Sequence, residues 1–172
     1  MFDLELKTEV LKKEQLLEIF TTFLLESGFS IIEKNYNQNP CIVKIKDNAR
    51  KFEIHFIIKN ISGGGWEDKK NIKRIQVGDV KSSLINSNKI RTHMLCGITL
   101  YKEKYILVVW NSYLYKKHAT NRSCYIHAET IKKCYERGYV FINESNQDIW
   151  LCDSSKFGFL IRDYISYNYD AE

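Results

Sequence analysis

The sequence predicts a single α+β domain: a mainly antiparallel β pseudobarrel of about seven strands with helices at its periphery. Three observations carry this. Short runs rich in β-branched and aromatic residues follow one another from residue 30 to residue 127. They are not interleaved with helical patterns of about 10–15 residues, so a doubly wound parallel sheet is not expected. One long amphipathic segment precedes them, and only two short helical segments come later. A length of 172 residues suits one domain with a core that needs no staples.

The opening segment "TEVLKKEQLLEIFTTFLLESGFS" places Leu11, Leu16, Ile19, Phe20, Phe23 and Leu24 at three-and-four spacing, which predicts a helix with one buried face. Thr8 is its expected N-cap and Gly28 its stop. The runs "SIIEKNY", "CIVKIKD", "KFEIHFIIK", "IKRIQVGD", "MLCGITLY", "KYILVVWN" and "RSCYIHAE" read as strands. In the third, Phe52, Ile54, Phe56 and Ile58 share one face, while Glu53, His55 and Ile57 share the other. A short helix is expected from Ala128 to Arg137, ended by Gly138. "YVFINE" and "DIWLCD" then form a last strand pair. "SSKFGFLIRDYISY" is a terminal helix, with Ser154 or Ser155 as its cap.

No apolar run reaches 18 residues, and Asp3 and Glu5 stand where a signal peptide would be basic, so a cytoplasmic protein without a membrane span is expected. The five cysteines are odd in number and include no CxxC pair. They read as buried, reduced thiols rather than as a zinc site, and no cofactor is expected.

The net charge of +5 conceals a division. Residues 1–33 hold three Lys/Arg against seven Asp/Glu, and residues 139–172 hold two against six. The centre, 34–138, holds 21 against eight. Two acidic ends flanking a strongly basic middle point to a polyanionic partner, nucleic acid first.

Motifs for chemistry are sparse. There is no GxxxxGK[ST] and no GxSxG, and "SGGGW" does not open a helix as a dinucleotide fingerprint does. The enzymatic alternative is a Mg²⁺-dependent restriction endonuclease of the PD-(D/E)xK kind, which needs two acids on a metal and a lysine beside them. Asp79 and Lys81 of "GDVK" imitate one half, and Glu53 or Asp47 offers the second acid. An Asp after a glycine at a strand end is equally an ordinary turn residue.

Two connections between apolar strands concentrate the positive charge. In the first, Gly63, Gly64 and Gly65 permit close backbone approach to a phosphate, and Trp66 can stack or wedge. Lys59, Lys69, Lys70, Lys73 and Arg74 supply the field, and Asn60, Ser62 and Gln76 offer short hydrogen-bonding groups. Taken alone, this is equally a long hairpin whose lysines blunt a sheet edge. The second connection, within "WNSYLYKKHATNRSCYI", shifts the balance. It carries Lys116, Lys117 and Arg122 with no acid, interleaved with Tyr113, His118, Asn121 and Ser123. Two basic, amide-rich arms on one β scaffold suit a groove-reading duplex-DNA binder. An RNA-binding module is a further alternative.

The pattern "FEIHFIIKNISGG…KRIQV", followed by "CGITLY…YILVVWN…NRSCYIHAETIKKCYERGYV", resembles the N-terminal DNA-specificity domain of McrBC-like restriction proteins, in particular the LlaJI-type GTPase subunit. The matching residues are His55, Lys59, Asn60, Ile61, Ser62, the glycines, Arg74, Ile75, Gln76, Trp110, Asn121, Ser123 and Glu129. They lie within about residues 52 to 165. The tripled glycine followed by "EDKK" departs from that pattern. The resemblance implies a B-three-like pseudobarrel that grips the major groove with two arms and cleaves nothing itself, working in a bacterial restriction system against phage. It also implies an AAA+ GTPase module after residue 172 in the same parent chain, and a separate nuclease subunit.

Overall fold

A computed structural model describes residues 10–63, 71–77, 91–112 and 122–169. The chain begins with helix α1 (Lys13–Glu26), then strands β1 (Ser30–Asn35), β2 (Cys41–Lys46), β3 (Lys51–Asn60) and the two-residue β4 (Ser62–Gly63). Strands β5 (Ile72–Val77), β6 (Arg91–Tyr101), β7 (Lys104–Trp110) and β8 (Arg122–His127) follow. Helix α2 (Ala128–Arg137), strands β9 (Tyr139–Glu144) and β10 (Gln147–Cys152), a 3₁₀ turn (Ser154–Lys156) and α3 (Phe157–Tyr169) complete the fold. The expected α+β class, mainly antiparallel with peripheral helices, is the observed one. No helix among the described residues is long and apolar enough to cross a membrane.

The ten strands divide into a seven-stranded sheet of order β1-β2-β3-β6-β7-β10-β9 and a three-stranded sheet of order β4-β5-β8. The large sheet ends at β1 and β9 rather than closing, so the strands form open layers and not a closed barrel. One pair in it is parallel: β3 and β6 align from Glu53↔Arg91 to Asn60↔Ile98. Parallel neighbours require a crossover connection, commonly a helix. Here the crossover carries β4 and β5, and pairing of β5 with β8 makes it a second sheet.

Period-two alternation distributes the core. Phe52, Ile54, Phe56 and Ile58 of β3 face α1 and α3, packing with Phe20, Phe23, Phe157 and Leu160 among others. The Phe20 and Phe56 rings stack at 4.0 Å. On the other face Ile57, Leu95, Val108 and Trp110 pack against Ile75, Val77, Cys124 and Ile126 of the small sheet and Ile131 and Cys134 of α2. The layers meet closely at Gly97 of β6, where a Cβ would lie 2.7 Å from Ile61 Cγ1 and 2.9 Å from Ile75 Cγ2.

Local signals at helix ends are partly as expected. Gly28 and Gly138 take positive φ, +83° and +79°, where α1 and α2 stop. The start of α1 differs: Thr8 lies outside the described residues, and the helix begins at Lys13. Asn60 holds the preceding segment, accepting from Leu11 N–H at 3.0 Å and donating to Leu11 C=O at 2.8 Å. Lys12 N–H then donates to Gln15 Oε1 at 2.8 Å as the helix opens. At the C-terminal end Asp153, rather than Ser154 or Ser155, is the cap, accepting from Ser155 N–H at 3.0 Å and Ser155 Oγ at 2.6 Å.

Candidate nucleic-acid interface

The two basic connections of the sequence meet on one scaffold, the three-stranded sheet. Its rungs pair Ser62 with Arg74, Arg74 with Tyr125, Gln76 with Ser123, and Ile72 with His127. Residues opposite one another across antiparallel strands project from the same face. Ile75, Cys124 and Ile126 point inward and are fully buried. Ser62, Arg74, Gln76, Ser123, Tyr125 and His127 therefore share the outer face, and Ser62, Gln76 and His127 are exposed.

Arg74 lies on the middle strand of this sheet, and its Nε is buried with no hydrogen-bond partner among the described residues. Burying a guanidinium N–H without an acceptor is costly unless another molecule supplies one. Lys73 projects with the opposite parity, on the rung of Ile126, and is partly buried. The backbone of Arg122 lies opposite Val77. Lys59 is exposed near the end of β3, beside Gly97. Asn60 is occupied by its two bonds to the Leu11 backbone. Gly64, Trp66, Lys69, Lys70, Tyr113, Lys116, Lys117, His118 and Asn121 lie outside the described residues.

Strand register shows where the two arms attach. Gly63 pairs with Lys73, so the 64–70 connection joins the sheet at the end where Ile72 meets His127. The 113–121 connection enters at Arg122, opposite Val77, at the other end. Six residues of strand separate the two ends by roughly 17 Å.

The acids considered for a metal site have other partners. Glu53 Oε1 accepts from Arg91 Nε at 3.0 Å and lies 2.5 Å from His55 Nε2. The hydrogen bond with His55, helped by the Arg91 charge, holds the Glu53 carboxyl below the usual range. Asp47 closes a turn by accepting from the N–H groups of Ala49 and Arg50, and it also binds Arg162 at 3.0 Å. Asp79 and Lys81 lie outside the described residues. Among the described residues no three His, Cys, Asp or Glu side chains gather as metal ligands.

All five cysteines are buried and none forms a disulfide. Burial pushes the Cys134 thiol up to about 12 and raises those of Cys41, Cys96 and Cys152. These thiols stay protonated and act as small apolar side chains.

Sequence reasoning passed over Tyr125, His127 and Glu144. Glu144 reaches from β9 to the start of α2, where Oε2 accepts from His127 N–H at 3.2 Å and lies 3.1 Å from His127 Nδ1. Its Oε1 accepts from Thr130 Oγ1. Alternation in "RSCYIH" was the available signal, since it sets Ser123, Tyr125 and His127 apart from Cys124 and Ile126.

No curated protein and no solved structure matches the chain. A family model does, that of Methylase-associated X1, a domain associated with restriction–modification systems. It covers residues 52–161, from the start of β3 into α3, and so includes the whole three-stranded sheet and most of the large one. By that match over most of its length, the chain belongs to the Methylase-associated X1 family.

Proposed function

We propose that this chain is the DNA-recognition module of a bacterial restriction–modification system, binding duplex DNA at a specific site without cleaving it. The observation that carries the reading is Arg74. It stands on the middle strand of an outward polar face, with a buried Nε that lacks an acceptor among the described residues. Gln76 and Ser123 occupy one rung of that face and Ser62 sits beside Arg74. Arginine and glutamine present the donor geometry that reads guanine and adenine edges in the major groove. The arms at the two ends bring Lys69, Lys70, Lys116 and Lys117, the cations suited to phosphates. In this reading residues 1–172 are one cytoplasmic specificity domain of a larger McrBC-like protein. An AAA+ GTPase module follows in the parent chain, and a separate nuclease subunit makes the cut.

The test is a gel shift against a randomised duplex library, with and without Mg²⁺, followed by inspection of the DNA for cuts. A preferred site should emerge, and Arg74→Ala should cost about 1–3 kcal/mol on that site with little change on random duplex. Lys69→Ala should instead weaken all duplexes alike and flatten the salt dependence by about one unit. Absence of binding to any duplex, or an Arg74→Ala loss equal on specific and random DNA, overturns the assignment.

A further inference from the structure

His127 ends β8 on the outer face of the small sheet, at the rim where the 64–70 connection attaches. Its side chain is 52% exposed, whereas the Glu144 beside it is 13% exposed. Glu144 receives the backbone N–H and Nδ1 of His127 on one oxygen and Thr130 Oγ1 on the other. The backbone and Thr130 bonds tie Glu144 to the start of α2. The Nδ1 contact is additional, and it has a chemical consequence. A carboxylate at Nδ1 fixes a proton there and orients the ring. Nε2, on the far side of the ring, makes no hydrogen bond within the described residues.

We propose that His127 is a DNA-backbone contact, with Nε2–H donating to a phosphate oxygen and Glu144 orienting the ring from behind. This rests on the duplex-binding reading above and extends its interface to a residue on the rim of the sheet. Phosphate contacts of this kind fix register and orientation, while the base-reading groups occupy the centre. Among the described residues, the charged and titratable groups within two positions of His127 along the chain, or of its partner Ile72 on β5, are Glu129 in the first turn of α2, Lys73 and Arg74 on β5, and Tyr125 on β8. Beside these, histidine is the side-chain type whose charge ordinarily changes between about pH 5 and 8.

The sign follows from linkage. The phosphate binds the imidazolium more tightly than the neutral ring, so complex formation takes up a proton. Affinity is highest at low pH and falls as pH rises through the histidine range. Between pH 8 and pH 6 the wild-type chain should gain about tenfold in affinity for its duplex, an average of about half a proton taken up per complex over that range. His127→Gln should remove that gain. His127→Lys, with a permanent cation, should bind at pH 8 about as tightly as wild type binds at pH 6. Glu144→Gln, which keeps one acceptor oxygen for the His127 N–H, should weaken the pH response without abolishing duplex binding.

Fluorescence anisotropy on a labelled duplex at fixed ionic strength reads all four proteins. A pH-independent wild type that still binds DNA overturns this proposal and leaves the functional reading intact. An undiminished pH response in His127→Gln does the same, because another group then takes up the proton. Absence of duplex binding at every pH overturns both.

Discussion

Gly97 offers a direct test of how the reading sheet is seated on the large sheet. Adding a single methyl as Gly97→Ala places carbon 2.7 Å from Ile61 Cγ1, 2.9 Å from Ile75 Cγ2 and 3.0 Å from Ile61 Cδ1. Carbon atoms pack best at about 3.5–4.0 Å, so each neighbour must retreat by roughly 1 Å. The space to do so is small. Ile61 is 5% exposed and Ile75 0%, both enclosed between the two sheets. The Ile61 backbone is also tied to β6 by its N–H to Ile98 C=O at 3.0 Å. Overpacking of this kind costs about 1–3 kcal/mol, and relief of the glycine's unfolded-state entropy returns about 0.5–1. The net loss is about 1–2 kcal/mol, or roughly 2–8 °C in Tm for a chain of this size.

Urea denaturation measures it, and a double-mutant cycle identifies the cause. Ile61→Ala alone should cost about 2–5 kcal/mol through the cavity it leaves, but it removes both Ile61 atoms in the clash. In that background Gly97→Ala should lose at least about 1 kcal/mol of its cost, because two of the three close contacts are gone and only that with Ile75 Cγ2 remains. An equal cost in both backgrounds, or a Gly97→Ala protein as stable as wild type, refutes the close-packing argument. On the proposed function the single variant carries a second signature. Displacement of β5 moves Arg74 and Gln76 together, so site discrimination should fall further than affinity for random duplex.

Two further outcomes are expected. Tyr164 is fully buried, and its hydroxyl donates to His93 C=O at 2.6 Å and accepts from Ser112 N–H at 3.2 Å. Tyr164→Phe keeps the ring but deprives Ser112 N–H of that acceptor, so the urea midpoint should fall by the equivalent of about 1–3 kcal/mol, and an unchanged midpoint refutes the network. Asp79→Ala should leave duplex binding intact, and the wild-type chain should leave DNA uncut in Mg²⁺ or Mn²⁺; site-specific cleavage that this substitution abolishes reinstates the nuclease alternative.

Much of the fold was legible because its signals are local. The alternation in "KFEIHFIIK" assigns Phe52, Ile54, Phe56 and Ile58 to the helix-covered face and Ile57 to the other, as observed. Glycines at positive φ marked both helix ends. What escaped depends on partners distant in sequence. The pairing of β3 with β6 joins Glu53 to Arg91 in parallel, and nothing within either strand signals which neighbour it takes. Asn60 reads as a base-edge amide by chemistry alone, yet its donor and acceptor are both used on Leu11, 49 residues earlier. His127 reads as the tail of a strand until β9 brings Glu144 beside it. The open sheet has the same origin, since closure depends on whether β1 and β9 meet, and each instead forms an edge.

The acidic ends of the chain take on a meaning in three dimensions that composition alone does not supply. Glu14, Glu18 and Glu26 lie on α1, and the groove between α1 and the β6–β7 turn is lined by Glu18, Glu26, Glu103 and Asp153, with Lys104 as a lone cation 3.7 Å from Asp153 among the described residues. Helix α1 packs on the face of the large sheet opposite the three-stranded sheet. Each layer spacing is about 10 Å, so these carboxylates stand roughly 20 Å from the outer face that carries Arg74 and Gln76. At physiological ionic strength the Debye length is about 8 Å, which screens them from a duplex docked on the small sheet. They cost that complex little, yet they repel a duplex approaching α1. On the proposed function, this arrangement makes the α1 side the poorer face for a duplex and so orients the encounter, because a misdirected duplex meets carboxylates and a correctly directed one meets the outer face of Arg74 and Gln76.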